Sequence, residues 1–363
     1  MTNHQGSRRV YLDWSRGVAV LLMIVAHTAD AWTRAADRQS TAFGWTMVLG
    51  GFAAPLFLWL AGLVIALSAT RFAPTDDGRG TAVHAICKRG LEIFILAFLF
   101  RLQAFIVSPG SHPIAIFRVD ILNVMGPSIV AVGLVWALGA STGARAVLYA
   151  AVAAAIAMVT PIIRAAAIVN ELPVWLQWYV RPAGDLTTFT MFPWSGFVFA
   201  GAACGVLLSV KDRRQERRMQ AAFATAGVIL VVFGFYTSTR ASIYAQSNFW
   251  SSSPTWFAIR TGLLMVGVAV FYAIGLLAAR SNLRFRPLER FGRSSLFVYW
   301  IHVELVYGYA SWPLRFRLPL WGSLAACAAF SLLMYGAIVF RDRVVEKWRS
   351  RLPPRSARQP ATA

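Results

Sequence analysis

Residues 45–70 read WTMVLGGFAAPLFLWLAGLVIALSAT, a run of 26 residues without one charged side chain. A helix of that length rises about 39 Å, more than the roughly 30 Å hydrocarbon core of a bilayer. A surface helix of a soluble protein keeps one polar face, and this stretch has none. Similar runs recur on both sides of it. Hydropathy marks them near 14–33, 89–107, 119–138, 146–168, 186–209, 220–239, 258–279, 295–311 and 319–340, which makes ten spans in all. The predicted fold is therefore all-α: a polytopic membrane bundle of about ten transmembrane helices. It forms one domain over residues 10–340, followed by a basic cytoplasmic tail over 341–363 whose Arg, Pro, Ser and Ala content reads as disordered.

Composition agrees with that reading. Of 363 residues, 58% are hydrophobic and only 14% charged, too little polar surface for a soluble protein of this size. The net charge of +20 would point to nucleic acid in a soluble chain. Here its distribution gives it another home. With the amino terminus inside, 25 of the 35 Lys and Arg residues fall in the inner segments 1–16, 71–89, 139–145, 210–219, 280–293 and 341–363. That is the positive-inside bias, and it places both termini in the cytoplasm, against anionic lipid. No nucleic-acid partner is expected. Arginine far outnumbers lysine, the bias of a GC-rich bacterial genome, so the expected location is a bacterial inner membrane. Arg8, Arg9, the run Gly17–Ala26 and Ala29-Asp30-Ala31 share features with a secretory signal peptide, but this segment reads better as the first span. Cys87, Cys204 and Cys327 sit in or beside apolar runs and match neither a disulfide framework nor a metal site; no metal is expected.

The first span carries the most informative polar residues. Arg16 and His27 lie eleven residues apart, about 20° from three full turns, with a rise of roughly 16 Å, so they share a face. Asp13 and Asp30 flank them at helical spacing, close to that same face. Ionisable groups are expensive in hydrocarbon and tend to mark function. Histidine also suits proton transfer near neutral pH. The plainer reading is an interfacial Asp13–Arg16 ion pair and a hydrogen-bonded core histidine.

Other polar groups in or beside spans are Glu92 and Arg101, Asp120, Asp185, Arg260, and His302 with Glu304. Asp120 reads either as a substrate contact or as the ion-pair partner of Arg101 or Arg118. His302 and Glu304 are two residues apart and diverge by about 200° on a helix, so a regular helix turns only one of them toward a given ligand. Trp194, in Phe192-Pro193-Trp194, is a candidate pocket wall. Gly196, Gly201 and Gly205 allow a close helix approach. No Walker loop, dinucleotide fingerprint or His-Glu-x-x-His is present.

The stretch Leu12-Asp13-Trp14-Ser15-Arg16-Gly17, the run ending Met23-Ile24-Val25-Ala26, and His27 resemble the opening of membrane-bound acyltransferases. The Arg-to-His spacing is similar to that of the acyltransferase 3 superfamily. Four further segments resemble the heparan-alpha-glucosaminide N-acetyltransferase-like branch, in order along residues 10 to 310. They are Pro55–Gly62, Asp120–Gly126, Phe192–Gly196 and Gly292–His302. The lysosomal member of that branch has asparagine where His27 stands and places its essential histidine about three turns later, near Arg38 here.

The resemblance implies acyl transfer, often of acetyl, from a cytoplasmic acyl-coenzyme A such as acetyl-CoA to a sugar or glycan acceptor. His27 would be the central residue, either general base or acyl carrier, with Asp30 orienting its ring. Arg16, Asp13 and Arg89 would serve the donor. Asp120, Trp194, His302 and Glu304 would serve the acceptor. A solute transporter is the main alternative, although the inverted repeats of many transporters are not evident; a catalytically silent membrane protein is the other. Homo-oligomerisation stays open.

Overall fold

The computed structural model describes residues 9–72, 78–107, 112–210, 212–281 and 285–351. The chain is helical nearly throughout. In order come α1 (Val10–Trp32), α2 (Thr41–Gly50), α3 (Ala53–Ala69), α4 (Gly78–Val107), α5 (Ile121–Leu138), α6 (Thr142–Ala165) and α7 (Val174–Val180). Then follow α8 (Met191–Leu207), α9 (Arg213–Ser238), α10 (Pro254–Arg280), α11 (Arg286–Arg293), α12 (Ser295–Tyr307) and α13 (Leu320–Arg349).

Side chains before several helices set their starts by satisfying free backbone N–H groups. Ser40 accepts from the Phe43 N–H, Asp212 from Gln215 and Ser253 from Thr255. Asp120 opens α5 with a reciprocal capping box to Asn123.

Among the described residues eight helical stretches are long and apolar enough to cross a membrane, with α2 and α3 acting as one. They fall at eight of the ten expected places. The other two are short: α8 has 17 residues and α12 has 13. Thirteen residues rise about 20 Å, less than the hydrocarbon thickness. The sixth span, expected from residue 186, begins only at Met191: Gly184–Leu186 form a 3-10 turn and residues 187–190 an extended strap, so Asp185 lies before α8. The third span begins eleven residues earlier than its apolar core, at Gly78. Residues 341–349, expected to be tail, continue α13; residues 352–363 lie outside the described residues.

Successive spans alternate between two faces. At the face where α1 begins, Arg9 pairs with Glu216 at 2.7 Å and donates to the Leu208 carbonyl at 3.1 Å. At the opposite, far face, the Arg34 N–H meets the Leu318 carbonyl at 2.8 Å and the Val119 N–H meets Leu186 at 3.0 Å. Arg164 also ties α6 there, donating to the carbonyls of Phe192 and Ser251. The starts of α1 and α9 and the end of α8 thus lie at one face, called the basic face here for its arginines.

α3 and α8 pack backbone against backbone. A Cβ at Gly201 would strike the Trp59 carbonyl, one at Gly205 the Leu63 carbonyl, and one at Gly62 the Val198 carbonyl. Only hydrogen at these positions lets the two backbones touch. Large side chains including Trp59, Trp136, Tyr149 and Phe197 fill the space around that contact. Outward, α9 exposes Val228, Ile229, Val232 and Phe233, and α13 exposes Leu332 and Leu333. Apolar surface of that extent on peripheral helices suits lipid. The protein is a multi-pass membrane bundle.

Candidate active site

α1 runs along a cavity of about 1370 Å³ lined by the bundle. Arg16, Arg89 and Arg293 line it near the basic face; Asp120, Arg260 and Arg315 line it near the far face. Its lining thus extends from one end of the bundle to the other. His27, Tyr299 and Phe100 lie between these two groups. The volume exceeds that of a typical pocket for one small ligand.

His27 does not stand alone. Its Nδ1 lies 2.8 Å from Nε2 of His302, and the two rings are parallel to within 2°. His302, fully buried on α12, turns its Nδ1 to the carbonyls of Val298 at 2.9 Å and Tyr299 at 3.0 Å. Carbonyls only accept, so His302 Nδ1 carries a proton. In the neutral ring Nε2 then has a lone pair and accepts the Nδ1–H of His27. His27 is left with its basic lone pair on Nε2.

This arrangement corrects the expected part of Asp30. Its Oδ1 accepts from Arg38 at 2.9 Å and its Oδ2 from the Tyr307 hydroxyl at 3.1 Å. The carboxylate is held by these two groups, and the imidazole partner of His27 is His302. Tyr307 also packs edge-on to His27, with ring centroids 5.6 Å apart. Arg38 is thus bound to the carboxylate one turn beyond His27.

The other expected residues divide between cavity and scaffold. Arg16 lines the cavity and pairs with Asp13 at 3.3 Å. Asp13 itself is buried off the cavity, in the α1–α11 contact, where a Cβ at Gly292 would strike its carbonyl. Arg89 lines the cavity and pairs with Glu92 at 3.0 Å. Asp120 pairs with Arg101 at 2.9 Å while capping α5, and it also lines the cavity. Trp194 lines the cavity, with Arg260 stacked on it. His302 and Glu304 diverge on α12 as helical spacing requires: one meets His27 and the other lines the cavity.

Tyr307, Tyr299 and Arg38 were missing from the expected site. Tyrosines near span ends look like interfacial anchors in a sequence. His302, expected on the acceptor side, lies beside His27. The two histidines are 275 positions apart, and no local spacing joins them. Among the described residues no cluster of three metal-ligating side chains occurs.

A family model described as heparan-alpha-glucosaminide N-acetyltransferase, catalytic, matches residues 8–248. The match takes in α1 through α9 and ends before α10, so Arg260 and His302 fall beyond it. No curated protein matches the chain.

Proposed function

The chain belongs to the heparan-alpha-glucosaminide N-acetyltransferase catalytic family, and from that premise we propose that it moves an acyl group, acetyl in the simplest case, from acyl-coenzyme A to a sugar or glycan acceptor. The observation that supports this most is the His27–His302 pair set in a cavity whose lining reaches both faces of the bundle. The donor enters from the basic face, read as cytoplasmic, and its phosphates meet Arg16, Arg89 and Arg293. The acceptor enters from the far face, where Asp120, Trp194 and Glu304 line the wall. On this reading both termini lie in the cytoplasm of a bacterial cell.

The chemistry follows from the tautomer. Nε2 of His27 takes the proton of the acceptor hydroxyl or amine as that oxygen or nitrogen attacks the thioester carbonyl. The tetrahedral intermediate collapses, the C–S bond breaks, and the new acyl–oxygen or acyl–nitrogen bond remains. The departing thiolate recovers the proton from His27 Nε2–H. During attack the imidazolium keeps its Nδ1–H on His302 Nε2, so His302 holds the ring in the tautomer that leaves Nε2 basic, the part a carboxylate plays in hydrolytic triads.

The test is release of free thiol from acetyl-CoA by purified protein in nanodiscs, with a panel of sugar acceptors. His27→Ala should lower turnover by about a thousandfold, the middle of the range for general base catalysis, with an unchanged melting temperature. Normal turnover by well-folded His27→Ala protein would sink the assignment. Acceptor uptake driven by a proton gradient, with no thioester consumed, would favour a transporter.

A further inference from the structure

The bundle contains several inward-facing arginines, and nearly all of them are matched. Arg101 pairs with Asp120. Arg164 gives its N–H groups to the Phe192 and Ser251 carbonyls and the Thr190 hydroxyl. Arg145 stacks on Trp136 and reaches that residue's carbonyl. Arg260 differs. It stands on the second turn of α10, with its Cζ 4.8 Å from the Trp256 ring centroid and 5.7 Å from that of Trp194. Its Nε is buried and makes no hydrogen bond, and among the described residues no carboxylate pairs with it. It lines the same cavity as His27, at the far end.

A guanidinium so placed carries a desolvated charge and an unsatisfied donor, both unfavourable unless a partner arrives. The two indoles cover its surface but accept no in-plane hydrogen bond. Its N–H edge is a planar fork suited to two oxygens of an oxyanion. Arg118, which lines the same end, bonds to the Thr188 hydroxyl and to no acid among the described residues. The acids nearby do not serve as partners in its place: Asp120 is held by Arg101 and Asp30 by Arg38, and Asp185 and Glu304 line the wall without an ion pair to Arg260.

We propose that Arg260, clamped between Trp194 and Trp256, is an anion subsite for the acceptor, so that the preferred acceptor is a sugar bearing a carboxylate, sulfate ester or phosphate ester. The proposal rests on the acyl-transfer reading for its place in the reaction, but the subsite itself does not need turnover. Trp194 offers a flat apolar face to the sugar ring beside the bound oxyanion.

The test uses full-length protein in nanodiscs and four probes: methyl glucoside, methyl glucuronide, glucose 6-sulfate and glucose 6-phosphate. Binding is followed by tryptophan fluorescence, and transfer by thiol release from acetyl-CoA. At least one anionic probe should bind tenfold or more tightly than the neutral one to the wild type, and the best of the three identifies the group. Arg260→Gln should collapse that ratio toward one, and Arg260→Lys should keep part of it. Failure of every anionic probe to outbind methyl glucoside, or an unchanged ratio in Arg260→Gln, overturns the proposal. Selective binding that Arg260→Gln abolishes, without thiol release from any acceptor, keeps the subsite and overturns acyl transfer instead.

Discussion

Two helix contacts in this bundle work by opposite means. α3 and α8 touch backbone to backbone, through glycines that leave no room for a side chain. α1 and α12 meet through two imidazoles bonded at 2.8 Å, with Tyr307 and Asp30 one turn farther along. The first contact is dry and close, and gains dispersion energy along its whole length. The second carries polar groups at membrane depth, each of which must find a partner. The first has the properties of a scaffold. The second keeps a histidine lone pair available in a cavity, and this is why it tolerates polar groups that a scaffold would exclude.

The contrast can be broken from either side. Gly201→Leu would drive a side chain into the Trp59 carbonyl. It should cost about 3 kcal/mol or more, at the upper end for overpacking, and appear as a large fall in melting temperature in detergent. A normal melting temperature would mean that α3 and α8 are not a fixed unit. His302→Leu acts on the other contact. It should leave the melting temperature nearly unchanged yet lower kcat about a hundredfold, because His27 loses the acceptor that sets its tautomer. His302→Gln, whose amide oxygen accepts a hydrogen bond, should recover about tenfold of that loss. Nitrogen-15 spectra of labelled histidine should show His27 protonated on Nδ1 in the wild type. Protonation on Nε2 would overturn the tautomer argument, whatever the kinetics.

The smallest effect concerns a contact that closes the far end. Asp37 accepts the Leu320 N–H at 2.8 Å and an Arg34 N–H at 3.0 Å. The Leu320 amide first, then Arg34, holds its carboxyl below the ordinary 3.8. A depressed carboxyl pKa stabilises the fold above the unfolded value, and the gain disappears as pH falls through the folded one. Wild type should therefore melt slightly above Asp37→Asn at neutral pH, and the gap should close as pH is taken below 3.8. A gap that persists in acid would mean that the charge of Asp37 contributes nothing.

Much of the architecture was legible because lipid imposes a one-dimensional rule. A chain must supply about twenty apolar residues to cross, and hydropathy found ten stretches where the described residues form eight long apolar helical units and two short ones. The short ones were misjudged in length. In α8 and α12 the surrounding protein covers helix ends that lipid alone would leave bare, so neither needs full membrane thickness. Arg16 and His27 on one face of α1 were legible for a similar reason: a helix repeats at 3.6 residues, and spacing within one helix is local information. Asp30 shows where this stops. Its spacing from His27 was right for contact, yet Arg38 and Tyr307 hold the carboxylate. Competition among partners from other helices is not written in any one segment.

The sequence by itself determined that this chain is a helical membrane bundle, that its basic residues concentrate in alternate loops, and that its first helix carries a polar stripe, because burial in hydrocarbon and helical periodicity act on neighbours along the chain. The tertiary structure alone decided that His27 is paired with His302 and that Arg260 sits between two indoles with its buried Nε unpartnered. Both depend on helices far apart in sequence meeting at angstrom distances, and only the packing of the whole bundle sets those distances.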